Sequence, residues 1–434
     1  MVNSLLPAVL LSVLAQSPAP PPDSYSLIRC GHLLAVATDA PRDNVTLVIK
    51  NGLVESIVPG FDGPKLPDGA RVEEIDLKQS FVLPGLIDCH VHLSHEFTPD
   101  VRLRAVTETD AEVAYKAAVN ARKNLDAGFT TVRDLGGRST VVFALRDAIN
   151  RGDIVGPRVI AAGEPITVTG GHGDDSNGYR QELFGVPGAD KAVADGPDEC
   201  RKAVRFQIKL GADVIKLTAT GGVLSASSAG LMQHFFQDEL DAIAATAHSM
   251  GRKAAAHAHG TDGINAALRA GVDSIEHGTY QNDESIKLFK EKGAWYVPTL
   301  LAAKTVTANA EKPGYYIKFV ADKARLVGPK VKESFRNAHA AGVKIAFGTD
   351  TGVSPHGENA QEFAIMVECG MSPNDTITCA TINAAELLGL SSQIGTLEPG
   401  KQADVIAVKA DPTMDASEFE RVTFVMKGGK VHKR

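Results

Sequence analysis

The chain has 434 residues, 44% of them apolar, with Lys+Arg 45 against Asp+Glu 52 and a single Trp. Such a composition belongs to an ordinary globular protein, and a net charge of −7 gives no drive toward phosphate backbones or anionic lipid, so nucleic acid is not an expected partner. The cysteines Cys30, Cys89, Cys200, Cys369 and Cys379 are odd in number and lack any CxxC pair, which argues against a disulfide framework or a thiolate zinc knuckle.

At the N-terminus, residues 5–14 read LLPAVLLSVL and are followed by AQSPAPPPDS. This is the pattern of a secretory signal peptide with a Pro-rich leader over residues 1–22, although its n-region, MVNS, carries no Lys or Arg. The expected location is therefore periplasmic or secreted. The run is too short to cross a bilayer and no other stretch is long enough, so no membrane span is expected.

Residues 25–83 read as short strands, with a hairpin signal at Asn51-Gly52 in NVTLVIKNGLVESIV. The C-terminus repeats the style in QADVIAVKA and in RVTFVMKGGKVHKR, which turns at Gly428-Gly429. Between them, over residues 84–391, apolar strands alternate with Ala-rich amphipathic helices. The strands are GLIDCHVHL, FTTVRDL, RVIAAG, DVIKLTA, KAAAHAH, SIEHG, WYVPTL and KIAFGTD. Eight βα repeats predict an α/β fold: a (β/α)8 TIM barrel, with a small β-sandwich domain built from residues 25–83 plus 392–434.

The chemistry-bearing residues cluster at strand ends. His90 and His92 are two apart on the first strand, so a period of two points both to one side, where two imidazoles can share a metal. Alone, an HxH pair also fits two ordinary hydrogen-bonded histidines. The fifth strand ends His257-Ala258-His259, the sixth Glu276-His277-Gly278 and the eighth Thr349-Asp350. Imidazole and carboxylate without thiolate suit Zn²⁺ or a similar divalent ion in a site left open to water. Lys216 lies inside the fourth strand, DVIKL, where an unpaired ammonium is costly. It can pair with a carboxylate, lose its proton and act as a Schiff-base amine, or take up CO₂ as a carbamate.

The order HxH in PGLIDCHVHL, Lys216, HAH, EHG and GTD, closed by GTLEPGKQAD at 395–404, resembles the amidohydrolase superfamily over roughly residues 25–434. TGGHG at 169–173, IKLTATGG at 215–222, AAHAHG at 255–260 and SIEHGTY at 274–280 are similar to its Xaa-Pro and Xaa-Arg or Lys dipeptidases, and to exported relatives that hydrolyse amides such as ochratoxin. The resemblance implies two divalent ions, Zn²⁺ by preference. His90, His92 and Asp350 would hold one, His257 and His277 the other, with carboxylated Lys216 between them. It also implies a homo-oligomer, up to an octamer.

On that arrangement Asp350 is both ligand and proton carrier. His172 is a candidate donor to a developing oxyanion, or a histidine that staples its loop. Gly221 and Gly222 let backbone approach the substrate, or simply make a tight turn. His259 and Tyr280 are placed to hold a substrate carboxylate or to support the ligands. Residues 225–236 suit a loop over the pocket, His95 and Glu96 are left outside the site, and Cys89 is read as core packing. The expected activity is metal-dependent hydrolysis of amide bonds, releasing a C-terminal amino acid from short peptides or N-acyl amino acids. Ring hydrolysis of the imidazolonepropionase or hydantoinase type is the alternative. A metal-binding scaffold without turnover is disfavoured because all six ligand positions are filled.

Overall fold

The computed structural model describes residues 23–225 and 230–434. The leader expected at 1–22 and residues 226–229 of the expected loop lie outside the described residues. Four strands come first: β1 (Ser24–Leu33), β2 (Arg42–Lys50), β3 (Leu53–Pro59) and β4 (Arg71–Pro84). Seven then alternate with helices: β5 (Leu86–Val91), β6 (Phe129–Asp134), β7 (Arg158–Ala161), β8 (Val214–Thr218), β9 (Lys253–Ala258), β10 (Ser274–His277) and β11 (Trp295–Val297). The chain finishes with β12 (Val405–Val408), β13 (Phe424–Lys427) and β14 (Lys430–Lys433).

Both ends of the chain pair in one seven-stranded mixed sheet, ordered β14-β13-β12-β4-β1-β2-β3. The expected division into a sandwich of two sheets is not what the pairing gives. The reason lies in β4, whose 14 residues serve two neighbours: Arg71–Val82 run parallel to β1, and Phe81–Pro84 run antiparallel to β12. The two hairpin signals both form tight turns, with φ +51° and +84° at Asn51 and Gly52 and +54° and +78° at Gly428 and Gly429. The turns also touch, since a Cβ on Gly429 would fall 2.5 Å from the Gly52 Cα.

The alternating region forms two parallel sheets, β5-β6-β7 and β11-β10-β9-β8. Single bridges continue them: the Ile166 amide donates to the Lys216 carbonyl at 2.8 Å, and the Thr218 amide to the Ile166 carbonyl at 2.9 Å. The eighth expected strand, KIAFGTD at 344–350, forms no ladder. It is tied by isolated bridges of Ile345 to Tyr296 and of Thr351 to Val91, because Asp350 takes a left-handed φ of +58° and breaks the pleat.

The helices carry their own start and stop chemistry. Thr109 and Glu112 make a reciprocal capping box for helix Asp110–Asp126, whose Ala117, Ala121 and Leu125 are buried in the main core. Pro197 opens helix Pro197–Leu210, and Gly271 at φ +88° closes helix Thr261–Ala270. Cys89 is fully buried beside Trp295, Val297 and Ala346, in keeping with a packing role.

Candidate metal centre

The C-terminal ends of β5, β8, β9 and β10, with the 344–350 segment, open onto a cavity of about 820 Å³ whose lining includes His90, His92, Lys216, His257, His277 and Asp350. All six expected ligands are therefore brought together. Asp350 Oδ1 lies 3.1 Å from His92 Nε2 and 3.5 Å from His90 Nε2. Two sets of donors fall within 4.8 Å of one another: His90, His277 and Asp350, and His257, His259 and His277. His277 thus belongs to both sets, and His259 sits among the expected ligands.

Four of the imidazoles are held at Nδ1, while His257 meets the Gly221 carbonyl through Nε2 at 3.4 Å. His90 Nδ1 donates to Glu276 Oε2 at 2.9 Å, and His92 Nδ1 to the Gly136 carbonyl at 2.8 Å. His277 Nδ1 shares a hydrogen bond of 2.7 Å with Thr299 Oγ1, and His259 Nδ1 shares one of 2.7 Å with Thr279 Oγ1. Glu276 is fixed in turn by Arg133, whose Nη2 donates to Oε1 at 3.0 Å, and by the Ser274 hydroxyl at 2.5 Å. Asp88 ties the first strand to the eighth segment, since Oδ1 accepts the amides of His90 and Thr349 at 3.0 and 3.1 Å and Oδ2 the Thr349 hydroxyl at 2.6 Å. Thr299, at φ +51°, precedes helix Leu300–Ala310, whose Leu300 and Leu301 amides donate to the buried Glu362 at 2.9 and 2.5 Å.

The electrostatics favour metal-ready donors. Burial, with the Lys216 charge added, brings His90 down to about 4, and burial holds His257 and His277 well below the ordinary imidazole range. These rings are neutral at pH 7 and keep a lone pair. Burial opposes ionisation of Asp350, but His90 and His92 outweigh it and hold the carboxyl far below the usual range. Burial likewise works against Glu276, yet Arg133 and the His90 hydrogen bond bring it down to about 2. Lys216 is pushed down to about 8 by burial, against the pull of Glu276 and Asp350. Those two carboxylates are engaged elsewhere, Glu276 with Arg133 and His90 and Asp350 with His92, so Lys216 is not in an ion pair among the described residues.

His172 also lines the cavity, its ring centroid 4.3 Å from that of His257, and its Nδ1 is buried with no partner among the described residues. Gly221 and Gly222 stay outside the lining. A Cβ on Gly222 would fall 2.2 Å from His172 Cε1, and one on Gly221 would fall 1.9 Å from the Gly230 carbonyl, so both positions serve close packing. Tyr280 also stays outside the lining; its amide donates to the His259 carbonyl at 2.9 Å and its own carbonyl accepts from the Thr261 hydroxyl at 2.6 Å. His95 and Glu96, left out by the sequence reading, do line the cavity, and His95 stacks on His92 with centroids 4.8 Å apart.

Sequence reasoning also missed Glu276, Arg133, Asp88, Thr279 and Thr299. A signal was available for the first three, because each is a charged residue within an apolar strand. The donor set fits a divalent centre: imidazoles and one ionised carboxylate converge, and the Nδ1 atoms of His90, His92, His259 and His277 are tied down.

The model of the amidohydrolase family matches residues 81–432, and the chain belongs to that family, whose members hydrolyse carbon–nitrogen bonds. The family is generally binuclear and metal-dependent. Ochratoxinase of Aspergillus niger is 35% identical over 419 residues, covering 92% of this chain and 85% of its own. A crystal structure of a Xaa-Pro dipeptidase with bound methionine in the active site is 40% identical, with a TM-score of 0.90 over 94% of this chain and 100% of the other. Imidazolonepropionase of Brucella anthropi is 28% identical over 396 residues, covering 84% of this chain and 86% of its own.

Proposed function

We propose that the protein releases a C-terminal amino acid from short peptides or N-acyl amino acids, ochratoxin-type amides included, using a binuclear zinc centre. The observation that carries this reading is the convergence of all six ligand positions on one cavity wall, around Asp350 Oδ1 at 3.1 and 3.5 Å from two imidazole nitrogens. His90, His92 and Asp350 would hold one ion and His257 and His277 the other, with carboxylated Lys216 between them. When bound, the ions would make hydroxide available at neutral pH and polarise the scissile carbonyl.

The protein's own groups do the rest. Asp350, whose Oδ1 faces the His90 and His92 nitrogens, takes the proton of the attacking hydroxide on its other oxygen as the tetrahedral centre forms and returns it to the leaving amine. His172, whose Nδ1 has no partner among the described residues, donates to the developing oxyanion. His259 and Tyr280 support the ligands and the wall beneath the substrate. In this reading the two parallel sheets and the 344–350 segment make up a closed (β/α)8 barrel over 84–391, and both chain ends complete the small β domain. Export through the apolar run at 5–14 and assembly as a homo-oligomer belong to the same proposal, on sequence grounds.

The likeness to imidazolonepropionase supports a second reading, hydrolysis of a cyclic amide. The test is a panel of dipeptides, N-acyl amino acids and cyclic amides offered to metal-loaded protein. Release of free amino acid from the linear compounds is the expected result. Ring opening without linear cleavage would favour the second reading, and no turnover in metal-replete protein would overturn both.

A further inference from the structure

Thr299 stands at the N-cap of helix Leu300–Ala310, yet its side chain does not cap that helix. Elsewhere in the chain, polar residues in this place do. The side chains of Thr109, Asn282 and Ser372 each accept a first-turn amide of the helix they precede, and all three have extended backbone. Thr299 is left-handed instead, with φ +51° and ψ +48°, an uncommon and strained conformation for a β-branched residue. Its hydroxyl meets His277 Nδ1 at 2.7 Å. The Leu300 and Leu301 amides, left without a local acceptor, donate to Glu362 at 2.9 and 2.5 Å.

Glu362 is anchored independently of the helix it serves. It is fully buried on helix Gln361–Glu368, where the neighbouring Phe363 is wedged between Phe347 and Phe419, ring centroids 4.4 Å from each. Three residues earlier, Asn359 donates to Asp88 at 2.8 Å. On the other side of Thr299, His277 has φ +69° and its carbonyl accepts the Tyr296 hydroxyl at 3.0 Å. For His277 Nε2 to keep a lone pair, Nδ1 must carry the proton and donate it to Thr299 Oγ1. That oxygen occupies one place, on the His277 ring, and caps no first-turn amide.

We propose that Glu362 is a positioning residue for His277: by taking over the cap of helix Leu300–Ala310, it keeps Thr299 left-handed with its hydroxyl on the ligand ring. Without Glu362 the two amides lose their acceptor, Thr299 returns to extended backbone to cap the helix, and His277 Nδ1 loses its partner. His277 belongs to both donor sets, so loosening its ring weakens zinc binding as a whole. The inference rests on His277 as a ligand in the reading above and on no particular substrate. In a purely structural role Glu362 would support the helix with no regard to the Thr299 hydroxyl.

The test is zinc titration against a chromophoric chelator in wild type, Glu362→Leu, Thr299→Val and the double variant, with melting temperatures measured alongside. Glu362→Leu and Thr299→Val are each expected to weaken zinc binding by about 10-fold or more, the usual cost of losing an orienting partner. Both changes act through one hydrogen bond, so the double variant should bind zinc as Thr299→Val does, even where it melts lower. Zinc affinity of Glu362→Leu within about threefold of wild type, or losses that add in the double variant, would overturn the proposal. Should Glu362→Leu fail to fold, as judged by circular dichroism, Glu362→Gln takes its place in the same cycle. If the wild type takes up no zinc, the functional reading fails, and crystal structures of metal-free wild type and variant still test the positioning. A Thr299 hydroxyl moved in the variant from His277 Nδ1 to the Leu301 or Ala302 amide supports it, and one that stays on His277 overturns it.

Discussion

Glu276 holds His90 with one oxygen, at 2.9 Å, and takes the Arg133 guanidinium on the other, at 3.0 Å. The carboxylate is fully buried and paired on both sides, so it fixes the His90 ring with Nε2 toward the cavity and raises its basicity. His277, the next residue, has φ +69°, and this break in strand alternation lets neighbouring side chains both reach His90.

Glu276→Gln is therefore expected to keep the fold, since an amide oxygen still accepts from Arg133, and to weaken metal binding by about 10- to 100-fold. Metal titration of purified protein with circular dichroism as the control checks it. Unchanged metal affinity would remove the orienting role.

Asp350→Asn should retain the fold and lose at least about two orders of magnitude in turnover, the usual cost of removing a positioned proton carrier. Steady-state kinetics on metal-replete samples decide the matter. Near-wild-type kcat would refute the proton-transfer role.

Three chemistries of Lys216 separate in Lys216→Ala. A bridging carbamate predicts collapse of activity and of metal occupancy, with partial recovery of both in acetate or propionate. A Schiff-base amine predicts borohydride trapping of the wild type with a carbonyl substrate and no carboxylate rescue. A plain buried amine, which has no ion pair among the described residues, predicts that the metals are retained and that carboxylates rescue nothing.

Glu362 gives a pH prediction away from the ligands. Burial raises its pKa from 4.5 to about 8, against the Leu300 and Leu301 amides, which favour the anion. The folded state binds the proton more tightly than the unfolded chain, so between about pH 4.5 and 8 folding takes up a proton, and stability falls as pH rises through that window. Glu362→Gln should flatten this part of the dependence. Melting temperatures of wild type and variant at pH 5 and pH 8 measure the difference, and parallel profiles would contradict it.

The expected ligand positions were legible because strand periodicity and placement at strand ends are local properties of the sequence, and their division between two ions came from the family resemblance. His90 and His92 need only alternation, and His257, His277 and Asp350 need only the recurrence of strand ends. What was not legible depends on long-range contact. Glu276 and Arg133 meet across 143 residues, and Glu362 sits 61 residues from the Leu301 amide it holds, looking in sequence like any helical glutamate. His95 seemed a loop residue, and only the fold stacks it on His92. The eighth strand failed as a ladder because the residue that carries the chemistry, Asp350, has a backbone conformation that a strand cannot continue. The β-sandwich is not confirmed by the strand pairing, in which a β4 strand long enough for two partners joins both chain ends into one sheet.

That joining sets an order of assembly. During synthesis β4 leaves the ribosome with β1 available to pair, but the partner for its far end, β12, is made only after every residue of the proposed metal centre. Until then the Phe81–Pro84 edge stays open to wrong partners, a known aggregation hazard. Once β12 and the turn between β13 and β14 arrive, the contact of the Gly52 and Gly429 turns acts as a clasp between the first and last parts of the chain. A protein cut short before residue 405 would have every proposed ligand and no closed clasp, so the last-made strands act as a completeness check on a site to which they contribute no ligand.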